Sequence, residues 1–216
     1  MATVAAPAVR SRSNRKVVFF IVFGLLTVFV TYMKNARIFD PNSEIAQHFA
    51  PVKWFAISHA FFGALGMLLG AFQFSNRLRA RYLTVHKTMG YIYIACVFIA
   101  GPLALPMTTR LGSPSLVAAS TTQALGWMVT TAIALYCIRT GNVAQHRRWM
   151  IRSYPFAMVF TVARLIIPLP PVMRLGIEGI NTVVWSTIAA AAFLPNILLE
   201  WRAMAPRPTV QATAGD

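Results

Sequence analysis

The sequence predicts an all-α integral membrane protein, a six-helix bundle with an internally duplicated four-helix core. Three observations lead there. The chain is 57 % hydrophobic and 12 % charged over 216 residues, whereas about a quarter of the residues of a soluble domain are charged. Its apolar residues gather into six runs close to the roughly 20 residues that a helix needs to cross a bilayer. And a cationic, histidine-bearing stretch, Gln145-His146-Arg147-Arg148-Trp149-Met150-Ile151-Arg152-Ser153-Tyr154, has a fainter copy sixty residues earlier at Val85-His86-Lys87-Thr88-Met89-Gly90-Tyr91-Ile92-Tyr93.

In chain order, residues 1–16 form a basic N-terminal segment ending in Arg10, Arg12, Arg15 and Lys16, and the first apolar run spans 17–33. A secretory signal has an apolar region of roughly 7 to 15 residues followed by a small-residue cleavage site. Here Tyr32-Met33-Lys34-Asn35 follows instead, so a retained first transmembrane helix is expected. The remaining runs lie at about 52–74, 88–106, 116–138, 149–169 and 180–199. Gly101-Pro102 and Pro106 are expected to end the third run, and Pro168-Leu169-Pro170-Pro171 the fifth, because proline lacks an N–H and clashes with the preceding turn. Residues 17–200 thus make one six-helix domain, and 201–216 read as a disordered tail rich in Ala, Pro and Thr.

Orientation follows from Lys and Arg, which are in excess in cytoplasmic loops. With the N-terminus inside, Lys34, Arg37, Lys53, Arg110, Arg164 and Arg174 fall on the outer side, and the other fourteen of the twenty fall inside. The chain is therefore expected in a membrane with both termini cytoplasmic and the lipid bilayer as its first partner. The net charge of +15 is dispersed in short clusters between apolar runs, which argues against nucleic-acid binding. Cys96 and Cys137 both lie inside apolar runs and read as small core residues.

The offset of sixty extends upstream, through Ala64-Leu65-Gly66 against Ala124-Leu125-Gly126 and Arg79 against Arg139. Two hairpins of the same topology imply a symmetry axis along the membrane normal. His86 and His146 then occupy equivalent places, each in the first turn of a returning helix on the inner side. One reading makes them the axial iron ligands of a b-type haem, with Lys87, Arg147, Arg148 and Arg152 near its propionates and Met89, Tyr93, Trp149 and Met150 packing around it. The plainer reading is a positive-inside anchor with an interfacial aromatic. Recurrence of the histidine at the duplicated position favours the first, since an anchor needs only charge.

A second candidate is a polar layer in the outer half. His59 and Gln123 each lie seven residues into a run that enters from outside, about 10 Å deep at 1.5 Å per residue, and Arg164 lies near the outer end of the fifth run. Asn181 and Thr182 are candidates to close the layer. Ionisable residues inside a membrane are costly and mark functional sites. Arg and Gln donate hydrogen bonds and His exchanges a proton, a set suited to a quinone, a proton or a small anion. Otherwise Arg164 snorkels outward and His59 bonds a backbone carbonyl. His48 reads as a surface residue of the outer loop. Gly63, Gly66 and Gly70 make a face for close helix packing. No phosphate loop, nucleophile elbow, carboxylate pair or zinc spacing is present in the sequence.

Through Gly70-Ala71-Phe72-Gln73-Phe74, His86-Lys87-Thr88-Met89-Gly90-Tyr91-Ile92-Tyr93, the His146 to Tyr154 stretch and Arg164, the chain resembles a bacterial family of predicted multi-pass membrane proteins, domain of unknown function 2306, over roughly residues 55 to 170. That resemblance implies a fold neighbourhood and no activity. A more distant likeness is to the ascorbate-reducible two-haem b cytochromes, six-helix proteins whose four central helices each give one histidine. It implies a retained inner haem at His86 and His146, and an outer haem lost because Ala119 and Gln123 stand where a partner for His59 is needed. Three functions follow as expectations: a haem-binding electron-transfer protein with a quinone-like or other redox partner, a small-molecule or proton-coupled transporter, or a non-catalytic assembly subunit docking through its basic loops.

Overall fold

The computed structural model describes residues 36–204 together with scattered positions between 22 and 32, which are helical. The basic segment 1–16, most of the first run and residues 205–216 lie outside the described residues.

Five long helices carry the architecture: α1 (Lys53–Gln73), α2 (Leu83–Leu111), α3 (Pro114–Arg139), α4 (Val143–Ile166) and α5 (Gly176–Met204). Short helices at Glu44–Phe49, Asn76–Arg81 and Pro170–Met173 fill the connections, and no strand occurs among the described residues. Local chemistry sets several starts. Ser113 Oγ accepts from the Leu116 N–H, with Pro114 at the first helical position of α3. Asn142 Oδ1 accepts from the Gln145 N–H at 3.1 Å to open α4, just after Gly141 turns the chain at a φ of 79°.

Helix α1 packs along α2, α2 along α3, α3 along α4 and α4 back on α1, so these four close a ring; α5 docks on the α3 and α4 side. In the first run, a Cβ added at Gly24 would stand 3.4 Å from Leu68 of α1. The ring is apolar outside and partly polar inside. Phe61, Phe72, Tyr91, Leu125 and Val129 are exposed, while Ser120, Gln123, Thr131 and Ser153 are buried. In water that arrangement would be costly; in a bilayer it is favoured, because lipid solvates the apolar faces and polar groups must find partners within the protein.

Four described helical segments are long and apolar enough to cross a membrane: Glu44–Gln73, Leu83–Arg110, Pro114–Arg139 and Gly176–Trp201. The 24-residue α4 is not among them, because Arg147, Arg148, Arg152 and Arg164 lower its apolarity, yet it is packed between α3 and α5.

Several expected boundaries move. Helix α2 runs from Leu83 to Leu111 straight through Pro102 and Pro106. Each proline removes one N–H, and downstream the Thr108 and Thr109 hydroxyls bond carbonyls of the previous turn at Ala104, Leu105 and Pro106. The His146 stretch is helical from Val143, since the Asn142 cap lies upstream of the cationic cluster. The last helix extends to Met204, so residues 201–204, expected as the start of a disordered tail, continue the helix of α5.

Candidate functional site

Three polar residues from three helices wall one cavity: His59 from α1, Gln123 from α3 and Arg164 from α4, together with Gly63, Met67, Trp127, Phe160 and Thr161. Its volume is about 50 Å³, room for roughly three or four water-sized groups. Asn181 and Thr182 are not in its wall, and Asn181 Oδ1 is buried without a hydrogen-bond partner.

Two of the three residues are held in defined roles. His59 Nδ1 lies 2.9 Å from the Ala100 carbonyl of α2. A carbonyl only accepts, so Nδ1 carries the proton and the neutral ring keeps its lone pair on Nε2. Gln123 Nε2 donates to the Phe156 carbonyl at 2.7 Å, leaving one amide N–H and the side-chain oxygen. Arg164 is half-buried in the last turn of α4, where the negative end of the helix dipole favours a cation. Among the described residues it has no carboxylate partner, the one carboxylate ion pair there being Arg148 with Glu200 at 2.7 Å. Its charge lies close enough to His59 to act on it electrostatically. A Cβ added at Gly63 would meet nothing within 4 Å, so bare backbone forms one stretch of the wall.

Trp127, on the cavity wall, links it to a polar cluster in the middle of the ring. Its indole N–H donates to Tyr93 Oη at 2.9 Å, Tyr93 Oη lies 3.0 Å from Ser153 Oγ, and Ser153 Oγ lies 2.7 Å from Thr131 Oγ1. Tyr93, Thr131 and Ser153 are fully buried. The Tyr154 hydroxyl donates to the Met67 carbonyl at 3.0 Å. An indole N–H donates and cannot accept, so this cluster ties helices together and is no continuous proton relay to the cavity. Trp127, Thr131 and Thr161 escape sequence reading, since nothing in their local pattern separates them from ordinary span residues. Tyr93 and Ser153 carried a usable signal: they stand sixty residues apart, the same offset as the histidines.

Two further pairs of features stand sixty residues apart. Helices α2 and α4 begin at Leu83 and Val143. The Cβ position of Gly66 meets Cys96, and that of Gly126 meets Phe156.

His86 and His146 lie near enough to interact electrostatically, with Arg79 also acting on His86. His146 Nδ1 donates to the Ala134 carbonyl at 2.8 Å, which leaves Nε2 open as in metal-ligating imidazoles. His86 Nδ1 and Gln73 Nε2 are buried without hydrogen-bond partners. The two rings fit axial ligation in their donor atoms. The expected cation set fits less well: Arg148 pairs with Glu200, while Arg152 bonds Asn196 at 2.7 Å and stacks 4.8 Å over Trp149. The bonds to Glu200 and Asn196 tie α4 to α5. Arg147 is exposed, as is His48, whose ring lies edge-on to Phe49.

The family model described as predicted membrane protein (DUF2306) matches residues 55–203. No curated protein and no solved structure matches the chain.

Proposed function

Because the chain belongs to the DUF2306 family of predicted membrane proteins, we propose that it is a multi-pass inner-membrane protein of bacteria, with six helices and both termini cytoplasmic, that carries a small molecule through the cavity shared by His59, Gln123 and Arg164. The observation behind this reading is the half-buried Arg164 guanidinium, without a carboxylate partner among the described residues, on a cavity that also holds a histidine nitrogen free to exchange a proton. An internal duplication is supported by the contact of Tyr93 with Ser153 and by the matching starts of α2 and α4. A repeat of this kind gives a carrier two halves that rock about a central site.

Accessibility tests the reading. In Gly63→Cys the new thiol faces open space, while the native Cys96 and Cys137 are buried. A slim membrane-impermeant methanethiosulfonate carrying a sulfonate, added outside whole cells, is expected to label Gly63→Cys well above the wild-type background. Labelling no faster than wild type would remove the outward-open cavity and the carrier with it.

A second reading is favoured by the open Nε2 of His146 beside the partnerless Nδ1 of His86. In it these residues hold a b-type haem that supplies one-electron chemistry, with a quinone-like redox partner. The reduced-minus-oxidised spectrum of protein purified in mild detergent, from cells supplied with haem precursor, is then expected to show a b-type band. His86→Ala and His146→Ala each remove it, and His48→Ala does not. A folded, colourless wild-type protein rejects this reading.

A further inference from the structure

We infer that the ligand of the His59, Gln123 and Arg164 cavity is a small planar oxyanion, of the size of a one- or two-carbon carboxylate, and that it enters together with one proton carried on His59 Nε2. The inference rests on the reading that this cavity is the ligand site.

Charge comes first. The sequence holds five acids, Asp40, Glu44, Glu178, Glu200 and Asp216. The four described ones are absent from the cavity wall, and Glu200 is taken by Arg148. A lone guanidinium in low dielectric is unfavourable, and the helix dipole at the end of α4 offsets only part of that cost. The complement to Arg164 is therefore negative and comes from outside the described chain. Shape follows from the guanidinium fork, whose parallel N–H groups match two coplanar oxygens better than a spherical ion. Size follows from the cavity, whose volume of about 50 Å³ suits a ligand of roughly three or four heavy atoms. Gln123 still has one amide N–H to offer, and the bare wall at Gly63 leaves room for the ligand.

The proton follows from His59. With Nδ1–H held by the Ala100 carbonyl, the site left for an incoming proton is the Nε2 lone pair. The proton passes from water at the cavity mouth to Nε2, and no other bond changes. From α4 the charged group facing His59 is Arg164; α2 offers the Ala100 carbonyl, and α3 contributes Gln123 and Trp127 to the wall. Arg164 opposes a second positive charge when the cavity lacks an anion. An anion neutralises it and lets the imidazole take the proton. Loaded and empty cavities then carry the same net charge, so the pair moves without transferring charge across the membrane.

The test is titration calorimetry on the full chain in nanodiscs with sodium formate, acetate, bicarbonate, nitrate and chloride, and with formamide as a neutral ligand of formate's shape. Formate is expected to bind and formamide not, with formate affinity rising by up to about tenfold per unit fall in pH across the range where histidine titrates. His59→Gln is expected to flatten that dependence, and Arg164→Gln to abolish formate binding with helix content unchanged. If Arg164→Gln does not fold, Arg164→Lys keeps the charge without the fork and is expected to weaken formate relative to chloride by about tenfold or more. Formamide binding as well as formate, or formate affinity untouched in the Arg164 variants, overturns the anion. pH-independent formate binding overturns the proton. In either case Gly63→Cys still labels from outside, whereas loss of that labelling removes the site itself.

Discussion

Gly63 and Gly70 lie two turns apart on α1 and have opposite surroundings. A Cβ at Gly70 would stand 2.8 Å from the rings of both Tyr93 and Tyr154. Those rings cannot easily yield, because Tyr93 is bonded to Trp127 and Ser153, and Tyr154 to the Met67 carbonyl. Gly70→Ala is therefore expected to destabilise the protein by about 1–3 kcal/mol, read as a lower unfolding midpoint in detergent. Gly63→Ala should stay within about 0.5 kcal/mol of wild type. Equal midpoints would mean that the two tyrosines are not fixed as described. The sequence marks the small-residue face of α1, since glycines at steps of three and four are visible in it. That one glycine meets aromatic rings and another opens on a cavity depends on how α2 and α4 pack on α1, the α4 residues being some ninety positions away.

Among the helices, α2 and α4 show how far local rules reach. Proline ends the helix at Ile166, where Pro168, Pro170 and Pro171 crowd the following turn, but not at Pro102 or Pro106, where α2 continues to Leu111. A single missing N–H is tolerated where neighbouring helices and hydroxyls hold the backbone, and a sequence window contains no record of those neighbours. The start of α4 is more local. Asn142 caps it alone and is exposed, so Asn142→Ala is expected to cost about 1 kcal/mol and to speed amide exchange over residues 145–147, the turn that positions His146. Unchanged exchange would show that the Ala134 bond to His146 suffices to hold that turn.

At the scale of the whole molecule, four helices close a ring whose polar residues face inward, and α5 is fastened to it by Arg148 with Glu200 and Arg152 with Asn196. The Arg148 pair is exposed and of small energetic weight; its consequence is positional, because it turns these cations toward α5. Composition and hydropathy determined by themselves that this is a helical membrane protein, because the free energy of entering a bilayer sums over about 20 neighbouring residues. His59, Gln123 and Arg164 were legible as polar intrusions on separate segments for the same reason. Their meeting in one cavity of about 50 Å³, the exclusion of Asn181 from it, the tautomer of His59 and the buried cluster around Tyr93 were decided only by tertiary structure. Each depends on the rotation and depth at which one helix packs on another, which contacts between residues far apart in the chain establish and no local pattern records.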